Sequence, residues 1–191
     1  MRAAEESPAE GTDDEVDALV GEIEAVRAVQ AGDFAAFAAL YSAYWPTVHG
    51  IVLARARAVE IADIVQDVFV VALQRIGELR DPAAFGGWMA AIARHASVDA
   101  VRRHRPTTEV TDDARIGMPP PRLEALAVLR AIRELPEAYR ETLVLRLVEG
   151  MNGPEIALRT GMTSGSVRVN LHRGMKLLRA RLGEDSEVGN A

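Results

Sequence analysis

The stretch Glu149–Leu182, EGMNGPEIALRTGMTSGSVRVNLHRGMKLLRARL, reads as two helices meeting at a tight turn. Asn152 is a strong N-cap, Glu155 stands three positions on to complete a capping box, and Pro154 fits a first helical turn. Ile156, Ala157 and Leu158 supply apolar packing before Thr160-Gly161 ends the helix. Thr163 or Ser164 then caps a second helix, in which Val167, Leu171, Leu178 and Leu182 share one stripe. The opposite face carries Gly165, Ser166, Val169, His172, Arg173 and Lys176, with Arg168 on its flank. From Gly165 to Leu182 there are five cations and no acid. A short helix, a glycine turn and a capped helix that is basic outside and apolar inside is the pattern of a helix-turn-helix offering its second helix to a major groove. The small residues Thr163, Ser164, Gly165 and Ser166 let that helix N-terminus approach a phosphate closely. A solvated basic face on an amphipathic hairpin has the same pattern, and both readings stand at this point.

The chain of 191 residues suits one domain or two small ones, and an apolar share of 49% with 26% charged residues is a globular composition. There is no cysteine, which excludes disulfides, thiolate zinc sites and cysteine nucleophiles. No apolar run approaches a membrane span, and the acidic N-terminus is the reverse of a signal peptide, so a cytoplasmic location without membrane insertion is expected. The net charge of −6 is unevenly spread. Residues 1–24 hold nine acids against Arg2, a charge of −8, which leaves +2 for residues 25–191.

Residues 1–24 read as an acidic extension, partly disordered, within which Asp13 or Asp14 caps a helix carrying Val16, Leu19, Val20, Ile23 and Val26 at helical spacing. Gly32-Asp33 breaks the chain, and Asp33 caps a helix whose aromatic face is Phe34, Phe37, Leu40, Tyr41, Tyr44 and Trp45, kinked or restarted at Pro46. The helix beginning at Asp63 has a core stripe of Ile64, Val65, Val68, Phe69, Ala72, Leu73 and Ile76. Its far side gathers Asp63, Gln66, Asp67, Val70 and Gln74, either a solvated face or, because Val70 lies in its middle, a partner surface. Gly77 to Pro82 is a loop. Trp88, Met89, Ile92, Ala93, Ala96 and Val101 then pack one side of a helix whose C-terminal half is basic. Residues 106–121, rich in proline and with a short acidic run, form a linker, and two more helices lead into the helix-turn-helix, the second opened by Pro136.

In this order the chain resembles the bacterial RNA polymerase sigma factors of the extracytoplasmic-function (ECF) type. The stretches that carry the resemblance are DFAAFAALYSAYWPTVHGIVL, DIVQDVFVVAL, FGGWMAAIARHASVDAVRRHR, LPEAYRETLVLRLVEGMNGPEIA and GSVRVNLHRGMKLLRARL. It covers roughly residues 25–183, and DIVQDVF followed at a distance by VRVNLHRGMKLLR is its most specific pair. The resemblance implies an all-α fold of two small helical domains, region 2 over residues 25–105 and region 4 over 122–183, joined by a flexible linker at 106–121 and followed by a tail at 184–191. It implies a transcription initiation factor with core RNA polymerase and promoter DNA as partners, an anti-sigma factor as a further one, and no cofactor.

By the same resemblance Asp63, Gln66, Asp67, Val70 and Gln74 dock on the clamp helices of the polymerase beta-prime subunit, and the beta flap is a further part of the core enzyme that the factor meets. The Gly77–Ala84 loop, with Glu78, Leu79 and Arg80, holds an unstacked base of the −10 element, and Arg94, His95, Asp99, Arg102 and Arg103 line the −10 strand. The −35 element is read by Thr163, Ser164, Ser166, Arg168, Val169, Asn170, Arg173 and Lys176. Asn170 and Met175 stand where the family often has arginine. Both weaken the phosphate and guanine contacts that the resemblance implies there, and asparagine can instead read adenine in bidentate fashion, so the mode of −35 reading is implied but not its sequence.

Two other function classes compete. A one-component regulator would join a sensing first half to the same helix-turn-helix. An enzyme would need a site, and His95 with Asp99, or Asp63 with Asp67, offers only paired side chains one turn apart. There is no Glu-x-x-His pair, Gly-rich phosphate loop or GxSxG turn, so neither a catalytic residue nor a metal ligand is assigned.

Overall fold

The structure, a computed structural model, describes residues 10–56, 61–103 and 123–183. They form eight α-helices and no strand: α1 (Glu10–Gln30), α2 (Phe37–Leu53), α3 (Ile61–Arg75), α4 (Phe85–Arg103), α5 (Leu123–Arg133), α6 (Glu137–Leu147), α7 (Gly153–Thr160) and α8 (Ser164–Leu182). The linker and the C-terminal tail expected at 106–121 and 184–191 lie outside the described residues. No helix among the described residues is long and apolar enough to cross a membrane.

Helices α1 to α4 enclose one core in which Tyr44, Phe85, Ile51, Met89, Val26 and Val48 are fully buried. α1 begins at Glu10, ahead of the Asp13 or Asp14 cap expected, and runs unbroken past residue 24. Val26 and Val29 face the core whereas Val20 is exposed, because the buried positions follow the end of the helix that packs on α2. Asp33 caps a single 3₁₀ turn, Phe34–Ala36, by accepting the Ala35 amide at 3.1 Å. Phe34 is exposed, so the aromatic face starts at Phe37. Pro46 does not restart the helix, since α2 runs continuously from Phe37 to Leu53 with the proline inside it.

In α3 the buried stripe is Ile64, Val65, Val68, Phe69 and Ala72, continued by Ile76 in a 3₁₀ turn. Gln30 fastens the segment after α3: its amide donates to the carbonyls of Ile76 and Leu79, both at 2.8 Å. α4 buries Met89, Ala90 and Ala93 and packs Trp88, Ile92 and Ala96 against the same core. Val101, expected inside, is exposed near the end of the helix.

The second module packs α5, α6 and α8 around Ile132, Leu143, Val144 and Leu178, with α7 closing a smaller cluster of Leu145, Ile156 and Val167. Pro136 is the N-cap of α6, one position ahead of the expected helical turn. The α8 stripe differs from expectation at its end, where Leu182 is exposed and Gly174 is buried. A Cβ at Gly174 would lie 3.0 Å from Leu143 Cδ1 and 3.1 Å from Tyr139 Cβ. Gly174 therefore lets α8 lie close on α6, filling the gap in the leucine spacing with backbone.

The two modules are seated on one another. Leu53 and Ala54 of α2 join the core of the second module, and Arg133 Nε donates to the Leu53 carbonyl at 3.1 Å. α4 meets the C-terminal end of α7 through glycines, with a Cβ at Gly86 falling 2.6 Å from the Leu158 carbonyl oxygen. Arg159 of α7 lies over the Tyr44 ring at 4.6 Å and reaches Glu22 at 3.5 Å.

Glu22 accepts the Tyr44 hydroxyl at 2.7 Å. Burial raises its pKa above the ordinary value of 4.5, opposed by that hydrogen bond and by Arg159. The folded chain then binds the proton more tightly than the unfolded one, so this contribution is full below pH 4.5 and is lost as pH rises through the folded pKa. Glu22→Gln is accordingly expected to melt at the same temperature as the parent or higher at pH 7, the difference closing as the pH falls toward 4.5 in a thermal series.

Candidate nucleic-acid interface

The helix-turn-helix is built as its residues dictate. Asn152 Oδ1 accepts from the Glu155 backbone amide at 2.9 Å, and the Glu155 carboxylate accepts from the Asn152 backbone amide at 2.6 Å. Gly161 ends α7 with φ +70, and a Cβ there would lie 2.8 Å from Gly87 Cα. Thr163 caps α8 by accepting the Ser166 amide at 3.1 Å, and its hydroxyl donates to Ser166 Oγ at 2.8 Å.

On α8, Ser164, Ser166, Arg168, Val169, Arg173 and Lys176 are exposed along with Thr163, and Asn170 is half-buried at their edge. Arg168, Arg173 and Lys176 have no ion-pair partner among the described residues. Three unneutralised cations on one ridge, with an exposed Val169 among them, suit an anionic groove. Met175 is half-buried against the α6 core, on the inner side of the helix.

The mixed face of α3 is equally plain. Asp63, Gln66, Asp67, Val70 and Gln74 are all exposed, with Val70 nearly half accessible among the polar side chains. The loop after α3 is held by Gln30 and by Asp81, which accepts the Ala83 amide at 3.0 Å. Here Glu78 and Arg80 are exposed and Leu79 is half-buried. Glu78 is paired with Arg75 at 2.8 Å, and this hydrogen-bonded partner holds its carboxyl below the ordinary value. On α4, His95, Asp99, Arg102 and Arg103 are exposed, whereas Arg94 turns toward the second module.

Arg94 gives Glu141 of α6 a two-pronged contact, Nη2 to Oε1 at 2.7 Å and Nε to Oε2 at 3.1 Å, and its Nη2 donates to the Thr160 carbonyl at 3.3 Å. Glu141, almost wholly buried, also takes Arg55 Nη2 at 2.8 Å. Glu149 lies 2.7 Å from His49 Nδ1 across the same junction. Sequence reasoning missed Glu141 and Glu149, since nothing in a one-dimensional pattern announces a partner 47 or 100 residues away. It also missed a groove of about 520 Å³ between α6 and α8, where Leu147, Leu171 and Met175 lie beside Arg146, His172, Lys176 and Arg179. The exposed Leu147-Val148 pair ending α6 was the available signal.

Comparison with known proteins matches both modules in chain order. Residues 40–107 match Sigma-70 region 2, and residues 125–178 match Sigma-70, region 4. The match to region 2 leaves a one-component regulator with a sensing first half disfavoured. The chain is 34% identical over 166 residues to the probable RNA polymerase sigma factor RfaY of Xanthomonas campestris pv. campestris, covering 80% of this chain but only 42% of that protein. It is 31% identical over 179 residues to the ECF RNA polymerase sigma factor BldN of Streptomyces coelicolor, covering 86% of this chain and 67% of BldN. The fold is that of CnrH, solved in complex with the cytosolic domain of CnrY, with a TM-score of 0.63 at 24% identity over 87% of this chain and 99% of CnrH. With both regions matched in order and relatives at this level, the chain belongs to the sigma-70-type RNA polymerase sigma factors, of the ECF kind.

Proposed function

We propose that this transcription initiation factor binds core RNA polymerase through the mixed face of α3 and directs it to promoters through two DNA-contacting surfaces. The ridge of α8 reads the −35 duplex, with Thr163, Ser164 and Ser166 at the phosphate backbone and Arg168, Val169, Asn170, Arg173 and Lys176 toward the bases. The loop holding Glu78, Leu79 and Arg80 takes an unstacked base of the −10 element. Arg94, His95, Asp99, Arg102 and Arg103 follow the opened strand, where stacking and phosphate contacts hold single-stranded DNA without an energy source. The factor itself performs no catalytic step. The apolar and basic groove between α6 and α8 suits an acidic amphipathic segment of a protein partner, the beta flap or an anti-sigma factor. Action with the polymerase places the chain in the cytoplasm.

The observation that carries this reading is the separation of surfaces: an exposed cationic ridge, unpaired among the described residues, on one module, and an acidic and amide face with a central valine on the other. Run-off transcription with purified core polymerase tests it, and specific transcripts dependent on this chain are expected. No transcript from any promoter at saturating core enzyme would overturn it. In the same assay Arg173→Ala is expected to weaken −35 binding by roughly 1–3 kcal/mol if the guanidinium reaches a base, or to lower the salt slope uniformly if it reaches a phosphate. Unchanged affinity at physiological salt removes Arg173 from the surface.

A further inference from the structure

Arg94 enters the proposed −10 surface with its charge already taken. Its guanidinium is clasped by Glu141 of α6 and by the Thr160 carbonyl at the end of α7, both from the other module. The geometry is the two-pronged contact that arginine makes with carboxylate or phosphate alike. The clasp sits in a wider junction, with Arg55 sharing Oε2 of Glu141 with Arg94, His49 on Glu149, and Gly87 against Gly161. Arg168, Arg173 and Lys176, by contrast, have no ion-pair partner among the described residues in this same arrangement.

We infer that Glu141 stands in for a DNA phosphate, so that the seated modules withhold Arg94 from the −10 strand while leaving the −35 ridge open. Duplex recognition and strand capture are then separate events, and capture requires the modules to part. Glu141 is a positioning residue of region 4 that governs what region 2 binds. This rests on the proposed reading of Arg94 as a −10 residue. The buried carboxylate is stable only between its two arginines. Neutralising it leaves Arg94 without its carboxylate and Arg55 with only the longer contact to Glu137 at 3.5 Å, which favours the parted state, where both arginines hydrate.

The test uses the full chain. It contains no cysteine, so labels at Gly21→Cys on α1 and Ala127→Cys on α5 report the distance between modules. Glu141→Gln is expected to lengthen that distance and to tighten binding of a fluorescein-labelled twenty-nucleotide poly-dT strand. The expected gain is about three- to tenfold, with a salt slope steeper by about 0.7, the signature of one added phosphate contact on a single strand. Affinity for a random duplex is expected to stay the same. Adding Arg94→Ala is expected to erase the gain while leaving the modules parted. Should Glu141→Gln lose helical circular dichroism, Glu149→Gln, which breaks the His49 contact away from Arg94, takes its place with the same expectations. A gain that persists without Arg94, or no change in distance or strand affinity in a folded variant, overturns the inference. Failure of run-off transcription by the parent chain would instead count against the promoter function, and the distance and oligonucleotide results would still decide the role of Glu141.

Discussion

Replacing Asp67 with arginine is expected to weaken binding to core RNA polymerase at least tenfold, while the affinity of the full chain for duplex DNA at low micromolar concentration does not fall. Asp67 is exposed in the middle of α3, beside Asp63 and Gln66 and one helical turn from the exposed Val70. It makes no ion pair among the described residues, so the fold loses none with it. A surface substitution of this kind changes stability by about ±0.5 kcal/mol. Across an interface the same change removes an attraction and installs a like charge, which is worth several kcal/mol when water is excluded and about 1.4 kcal/mol for each tenfold in affinity. The check is a titration of labelled core enzyme with parent and variant chains of matched melting temperature. Equal affinity would mean that the docking face lies elsewhere, and Val70 would need another explanation for its exposure.

Gly161→Val is expected to be the most damaging single change in the second module, lowering stability by roughly 3 kcal/mol from left-handed strain and overpacking together. Two independent constraints meet at this residue. Its φ of +70 is left-handed backbone, which a β-branched side chain adopts only under strain. Its Cβ would sit 2.8 Å from Gly87 Cα, which is backbone of the facing module and cannot turn aside. The two consequences separate experimentally: thermal melting reports the strain, and the Gly21 to Ala127 label distance reports whether the modules part to relieve the clash. Gly87→Ala is the counterpart. Its Cβ would lie 3.4 Å from Gly161 Cα, an ordinary contact, and alanine is the better helix former, so it is expected to melt within a degree or two of the parent. A Gly161→Val chain as stable as the parent would show that α7 ends differently from the structure described.

The linear chain dictates the local architecture of the DNA-reading motif. Asn152 with Glu155, Gly161, and Thr163 with Ser166 each act over two to four residues, where capping and backbone sterics override distant context. The polar faces of α3 and α8 were legible for the same reason, because a 3.6-residue period sorts side chains whatever lies beyond. The errors fall where that logic weakens. Val101 and Leu182 keep the period yet lie exposed near the ends of α4 and α8, Val20 is exposed midway along α1, ahead of the part buried against α2, and Pro46 does not interrupt α2. Gly174 was invisible as a packing position, since a missing side chain signals nothing until a second helix is pressed against it.

What only the tertiary structure decided is the relation between the two modules. Arg94 belongs by its position to a basic helix end and by its contacts to Glu141, 47 residues on. The pairing energy of a buried carboxylate depends on burial and on geometry, neither of which is a property of sequence spacing. Composition and periodicity determined which surfaces this protein has; packing between the halves determined which of them it shows.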